Sequence, residues 1–192
     1  MKKWPFYLTT LLLLGVMVVI TPSCKDDDDP MEPVATCDDG IQNGNETGVD
    51  CGGDCDPCIE GLMGEWQSSG ANVAPLLVTL FATDSIYANF RTDNTYLVEQ
   101  YDTAGTKLVL EGTYTQALSG VGQIWTIEVN QTSPVTLTSE GIFEIIGDVM
   151  NYEIVQTSPD IGAVPPTAQL GFGSTNAGAL GMLNVQTYER IQ

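Results

Sequence analysis

Four cysteines lie close together in the first third of the chain, and thiol chemistry is the clearest chemistry that the sequence offers. They are Cys37, Cys51, Cys55 and Cys58, within a 22-residue segment that has five glycines and few apolar side chains. So short a segment cannot be held by hydrophobic burial and needs cross-links. Two disulfides are favoured, and three pairings remain open. Zinc is the alternative: the Cys55–Cys58 spacing suits it, but no second paired knuckle exists.

Acidic and amide side chains of the same segment offer a second kind of chemistry, the binding of a hard cation. The candidate calcium ligands are Asp38, Asp39, Asn43, Asn45 and Asp50. Their oxygens, placed among turn-forming glycines, are of the type that calcium prefers. Their order does not follow the EF-hand loop. The alternative is a series of turns in which Asp and Asn accept hydrogen bonds from nearby backbone amides. Both interpretations stay open, and no other cofactor is predicted.

The first 23 residues have the pattern of a secretory signal peptide. Lys2 and Lys3 supply the positive start, and an apolar run over 11–20 follows before small residues precede Cys24. That run is shorter than the roughly 20 residues that a membrane-spanning helix needs. A retained anchor helix is the alternative, but Cys24 lies where cleavage is expected.

The Ser23–Cys24 pair after this apolar run resembles the signal of bacterial lipoproteins. The resemblance implies cleavage before Cys24, acylation of that cysteine and anchoring of residues 24–36 as a lipidated acidic tether. Lys25 followed by four aspartates is similar to the surface-export signal of Bacteroidetes lipoproteins, which implies an outer-membrane protein facing the cell exterior. The same run also suits a solvated, self-repelling linker with little to bury, predicted to be disordered.

The cysteine-rich segment 37–58 resembles a module that recurs in bacterial surface proteins.

Charge and composition exclude several functions. The chain has 6 Lys and Arg against 25 Asp and Glu, a net charge of −19, and removal of residues 1–23 takes two lysines and no acid, which leaves −21. So acidic a chain repels phosphate backbones, and nucleic-acid binding is not expected. The chain contains no histidine. Catalytic triads that contain histidine and acid–base catalysis by histidine are therefore absent. We expect a protein that is not an enzyme.

Residues 59–192 have the alternating pattern of β-strands. Apolar residues recur at every second position in four stretches: Ile86–Phe90, Trp125–Val129, Val135–Leu137 and Met150–Ile154. Turn signals between them predict antiparallel neighbours in a meander of eight to nine strands, as a small barrel or a sandwich. The segment 74–81 could be strand or helix. The segment 158–181 is predicted as a long loop before a last strand over 183–191.

Gly64-Glu65-Trp66 resembles the opening of the lipocalin-like (calycin) families. The resemblance implies an all-β, up-and-down antiparallel barrel, preceded here by the signal peptide, the acidic linker and a disulfide-rich neck over 37–58. It also implies that Arg190 packs across Trp66 and closes the barrel base, together with Gly64. Four aromatic residues are the candidates for lining a ligand: Phe90, Tyr96, Trp125 and Tyr152.

Two functions from different classes follow from these features. The first is a lipid-anchored cell-surface protein that holds a small apolar ligand in its barrel without catalysis. The second is a structural or adhesive display protein, whose packed β domain contacts a protein or glycan. The membrane is the expected partner in both, through the lipid on Cys24.

Overall fold

The structure, a computed structural model, describes residues 36–56, 58 and 60–191. Two units divide the chain, Met1–Asp56 and Pro57–Gln192. The predicted signal peptide and Cys24 lie outside the described residues. Among the residues that are described, no helix has the length and apolar character to cross a bilayer.

The described part of the neck, 37–56 and 58, is built from turns and disulfides. Cys37 and Cys55 are joined across 18 positions of sequence. Cys51 and Cys58 are disulfide-bonded as well, so the prediction of two disulfides is confirmed. An isolated antiparallel bridge between Gly48 and Cys51 is the regular backbone pairing here.

The second unit is an eight-stranded barrel closed in chain order, each strand antiparallel to its neighbours. The prediction of an all-β, up-and-down antiparallel barrel is confirmed. The strands are β1 (Gly64–Ser69), β2 (Thr83–Phe90), β3 (Thr95–Asp102), β4 (Lys107–Val121), β5 (Ile124–Ser133), β6 (Leu137–Ile146), β7 (Val149–Ser158) and β8 (Gln186–Ile191).

Alternation of side chains decides which residues fill the barrel. Successive side chains of a strand point to opposite faces, so every second residue faces inward. In β2 these are Ile86, Ala88 and Phe90, all buried. The barrel closes where β8 pairs with β1, with Trp66 opposite Arg190. Closure gives every strand of the barrel a paired neighbour on both sides, which reduces the edge that could pair with another chain.

Some strand boundaries in the structure differ from those predicted from the sequence. Val135 lies before β6 and is exposed, because a turn containing Pro134 separates β5 from β6. The last strand starts at Gln186 rather than at residue 183, since the 3-10 helix Gly181–Asn184 takes up the preceding positions. The segment 74–81, for which strand and helix were both possible, forms a helix, α1 (Pro75–Phe81). It starts at a proline and is followed by Ala82 in the left-handed conformation.

The connections define two ends of the barrel. Three short hairpins, β2–β3, β4–β5 and β6–β7, lie at the end where β1 begins, and we call this the closed end. The opposite end, which we call the mouth, carries α1 between β1 and β2 and the long 159–185 connection between β7 and β8. Helix α1 contacts both β2 and the 3-10 helix Gly181–Asn184.

Candidate functional site: a cavity inside the barrel

A cavity of about 220 Å³ lies inside the barrel. Leu77 reaches it from α1, and the strands contribute most of its wall. The aliphatic part of the lining includes Ile86, Val98, Leu110, Val129, Leu137 and Ile154. Protein interiors are normally packed as densely as organic crystals, and barrels of eight strands are often filled by their own side chains. An apolar space of this size is therefore a candidate binding site.

Three of the four aromatic residues chosen from the sequence line this cavity: Phe90, Tyr96 and Tyr152. Trp125 is not among the lining residues. Its ring stacks on Phe143, with 5.7 Å between the ring centroids and 19° between the planes. Phe143 is fully buried, so the pair is part of the packed core beside the cavity.

Several lining residues were missed by sequence reasoning. Tyr188 lines the cavity from β8, two residues before Arg190, and the period-two pattern could have identified it. The polar lining residues gave no such signal, because alternation assigns polar side chains to the outer face. They are Gln100, Gln131, Ser139, Asn184 and Gln186.

The closed end of the barrel is sealed around Trp66. The guanidinium carbon of Arg190 lies 4.1 Å from the centroid of the Trp66 ring. Arg190 Nη1 also donates to the carbonyl of Met63 at 2.8 Å, and Trp66 Nε1 donates to the carbonyl of Leu62 at 2.8 Å. Gly64 has φ +120°, and a Cβ there would lie 2.5 Å from Arg190 Nη1. Glycine is therefore required for the arginine to lie against β1.

Gln186 fixes the chain at the mouth. Its side-chain oxygen accepts a hydrogen bond from the amide of Ala74 at 2.8 Å, just before α1. Its Nε2 donates to Ser68 Oγ and to the carbonyl of Asn72 at 3.3 Å. Since Gln186 is buried, these bonds satisfy its amide inside the barrel and hold the start of α1 beside the cavity. Leu77 is thereby placed in the cavity wall.

The 159–185 connection is fastened to the outer wall of the barrel through Glu153. This carboxylate is on β7 and fully buried. Its Oε2 accepts from the amide of Gly173 at 2.7 Å, and its Oε1 accepts from the amide and the hydroxyl of Thr175 at 3.1 and 2.6 Å. Asn184 Nδ2 donates to the carbonyl of Ile154 at 3.0 Å in the same region. The connection is thus an ordered part of the wall.

The lining of the cavity carries no ionisable group other than the phenols of three tyrosines. Burial raises the pKa of Tyr96 to about 12 and raises the pKa of Tyr188 further. The pKa of Tyr152 is raised by burial and, in addition, by Tyr188 and Tyr96. With their pKa values raised, all three phenols are protonated near neutral pH. We call Tyr96, Tyr152 and Tyr188 the tyrosine cluster.

The candidate calcium ligands of the neck are used in its own turns. Asp50 accepts from the amides of Asp39 and Gly40, and Asp39 accepts from the amide of Ile41 at 2.9 Å. The bond from the Thr36 hydroxyl, followed by that from Ile41, lowers the pKa of Asp39. Asn43 and Asn45 accept from the amides of Thr36 and Asp54, and Asp38 is exposed. This geometry is that of the turn interpretation.

The sulfur atoms of the neck are engaged as well. A carboxylate oxygen of Glu46 lies near the sulfurs of Cys37 and Cys55, a grouping of a kind that can hold a metal. These two sulfurs are joined to each other, so neither is a thiolate, the form that binds zinc.

Comparison of the chain with protein-family models, with curated proteins and with solved structures finds no match. The chemistry of the cavity is thus the basis for assigning a function. Its walls can bury an apolar body, and its phenols can donate hydrogen bonds to a polar group on that body.

Proposed function

We propose that this protein is a non-enzymatic binding protein that holds a small, largely apolar ligand inside its barrel. The observation that carries the proposal is the cavity of about 220 Å³, lined mainly by aliphatic and aromatic side chains. Transfer of apolar ligand surface from water to such a wall contributes about 25 cal/mol per Å². A cavity in a folded barrel is also largely pre-formed, which limits the entropy lost on binding.

The size of the cavity limits the size of the ligand. Drug-sized ligands occupy pockets of roughly 300–1,000 Å³. The 220 Å³ here is smaller, yet larger than the ~150 Å³ engineered cavity that holds benzene. By that comparison we expect a ligand of about ten non-hydrogen atoms.

We propose further that acylation of Cys24 anchors the protein in the outer membrane, with the barrel outside the cell. Support comes from the sequence: the apolar run before Cys24, the acidic tether after it and the resemblance to bacterial surface lipoproteins. A second acyl chain gives the stable attachment that one chain does not. Labelling of cells with radioactive palmitate tests this, because Cys24→Ser is expected to lose both the label and the membrane association.

Native mass spectrometry tests ligand binding. The protein would be residues 24–192 with Cys24→Ser, which includes every residue that the structure describes, purified gently from extracts of its own host. A reproducible extra mass that is lost on denaturation is expected, and its value begins to identify the ligand. A bare mass in repeated preparations would contradict the proposal and favour the display function.

A further inference from the structure

The tyrosine cluster brings three phenols to the wall of the cavity from three strands. Tyr96 is on β3, Tyr152 on β7 and Tyr188 on β8. The rings of Tyr152 and Tyr188 meet edge to face, with centroids 6.0 Å apart. Each tyrosine is less than 10% exposed. Most of each side chain is therefore packed against other protein groups and shielded from bulk water.

Within residues 60–191, the hydroxyls of the tyrosine cluster form no hydrogen bond to another protein group. In the same residues, every polar side-chain atom that is fully enclosed has a hydrogen-bond partner. A hydroxyl without a partner is therefore not fully enclosed, and the open space beside these three residues is the cavity that they line. Other tyrosines of the barrel are paired: Tyr114 donates to the carbonyl of Arg91, and Tyr101 donates to Glu99. Buried tyrosine hydroxyls usually find a partner, so three unpaired phenols facing one cavity indicate where a polar group of a ligand binds.

The absence of charged side chains from the cavity lining limits the kind of polar group that a ligand can carry there. The lining contains no lysine or arginine, and Arg190 is engaged at the closed end with Trp66. A carboxylate or phosphate in the cavity would lose its hydration without meeting a cation, and such a group is costly to bury unpaired. The chain's net charge of −19 also opposes an anion. A ligand amine would find neutral phenols rather than a carboxylate.

We propose that the ligand is neutral and carries a carbonyl-type acceptor that receives hydrogen bonds from the tyrosine cluster, Tyr152 and Tyr188 included. This inference rests on the proposed function and names the ligand class. The acceptor lies against the tyrosine cluster, while the apolar remainder of the ligand packs against aliphatic residues such as Leu77, Val98 and Ile154. Ketones, esters and amides of suitable size belong to this class.

Three probes of similar shape test the proposal: propiophenone, propylbenzene and 3-phenylpropanoate. They differ in carrying a neutral carbonyl, no polar group or a carboxylate. Titration into the Cys24→Ser chain 24–192 is expected to show propiophenone binding about tenfold more tightly than propylbenzene, since one well-made hydrogen bond changes affinity by roughly that factor. The carboxylate is expected to bind most weakly.

A double variant, Tyr152→Phe with Tyr188→Phe, removes two donors and keeps the rings. We expect it to bind propylbenzene as before and to lose most of the preference for propiophenone. The carbonyl stretch of bound propiophenone, lowered in frequency by hydrogen bonds, should move back toward its value in apolar solvent. Tyr101→Phe is the matched control, because its hydroxyl contacts Glu99 instead of the cavity. Circular dichroism checks that each variant is folded.

The outcomes separate this inference from the proposed function. Equal binding of propiophenone and propylbenzene, or tightest binding of the carboxylate, would overturn the neutral-carbonyl assignment while a binding cavity remained. Loss of the preference in Tyr101→Phe as in the double variant would also overturn it. Failure of all three probes together with a bare mass in the native spectrum would overturn the proposed function itself.

Discussion

Arg190, near the end of the last strand, lies over the ring of Trp66 in the first strand, with 4.1 Å between its guanidinium carbon and the ring centroid. The same two residues are directly opposite each other where β8 pairs with β1. The contact therefore joins the two strands that close the barrel. A hydrogen bond from Arg190 Nη1 to the carbonyl of Met63 fixes the guanidinium in this position.

Removal of this arginine is expected to destabilise the barrel. Arg190→Ala loses a cation–π contact worth about 0.5–2 kcal/mol and a hydrogen bond worth about 1 kcal/mol, so the free energy of unfolding should fall by about 1–3 kcal/mol. Urea unfolding followed by tryptophan fluorescence measures it. Arg91→Ala is the control, since Arg91 is exposed and its side chain bonds Thr95. Equal losses in both variants would show that the contact with Trp66 adds nothing.

The raised pKa values of the tyrosine cluster predict a loss of stability in alkali. In the unfolded chain a tyrosine ionises near 10, but in the barrel the pKa of Tyr96 is about 12 and those of Tyr152 and Tyr188 are also raised. The stability gained from keeping the phenols neutral is complete below pH 10 and falls as the pH rises toward 12. Each such group contributes about 1.4 kcal/mol per pH unit in that window. Urea unfolding at pH 9, 10 and 11 measures the slope.

The double variant Tyr152→Phe with Tyr188→Phe provides the comparison for this pH dependence. With two ionisable groups removed, its stability should fall less steeply between pH 10 and 11 than that of the parent chain. An unchanged slope would mean that these two phenols ionise as easily in the barrel as in the unfolded chain.

The strand pattern could be predicted because burial in a barrel follows a local rule. Ile86, Ala88 and Phe90 are buried as their alternation indicated. The height of a side chain along the barrel axis does not follow from alternation, because it depends on the register of all eight strands. Trp125 and Val129 share a face, yet Val129 lines the cavity and Trp125 stacks on Phe143 in the core. Alternation alone cannot separate these two positions.

The burial of individual polar residues could not be predicted from the sequence. From their residue types, Gln186 and Glu153 are both expected on the surface. Gln186 is inside because its amide binds groups on β1 and before α1, which are distant in sequence. Glu153 is buried because the 159–185 connection folds back over it. Such burial depends on tertiary partners, which no local pattern encodes.

Glu153 should be needed for order in the 159–185 connection. Glu153→Gln keeps the shape but places an amide nitrogen where an oxygen now accepts from Gly173 or Thr175, and such a mismatch costs about 1–3 kcal/mol. Faster hydrogen exchange over 170–178 and a lower melting temperature are expected. Glu140→Gln on neighbouring β6 is the matched control, because that carboxylate is exposed and accepts a bond from Thr157. Unaltered exchange in Glu153→Gln would show that the connection is held by its other contacts.

The neck should depend on its disulfides for structure. A paired variant, Cys37→Ser with Cys55→Ser, opens the loop between them, and by chain entropy this costs about 3 kcal/mol. Since the described neck buries few apolar side chains, we expect amide exchange over 38–54 to become fast. Peptide mapping without reduction should recover a Cys37–Cys55 linked fragment from the parent chain. A fragment that links Cys37 to another cysteine would contradict the structure.

Filling the cavity should weaken ligand binding without unfolding the protein. Leu77 projects from α1 into the cavity, whereas its neighbour Val78 is 43% exposed. Leu77→Trp adds a bulky ring to a space of about 220 Å³ and is expected to weaken propiophenone binding at least tenfold. The cost of misfit in a packed core is about 1–3 kcal/mol, and the open space should reduce it here. Val78→Trp has the same new residue on the outer side of α1 and should bind as the parent does. If Leu77→Trp folds and still binds propiophenone with parental affinity, the ligand site lies elsewhere on the protein.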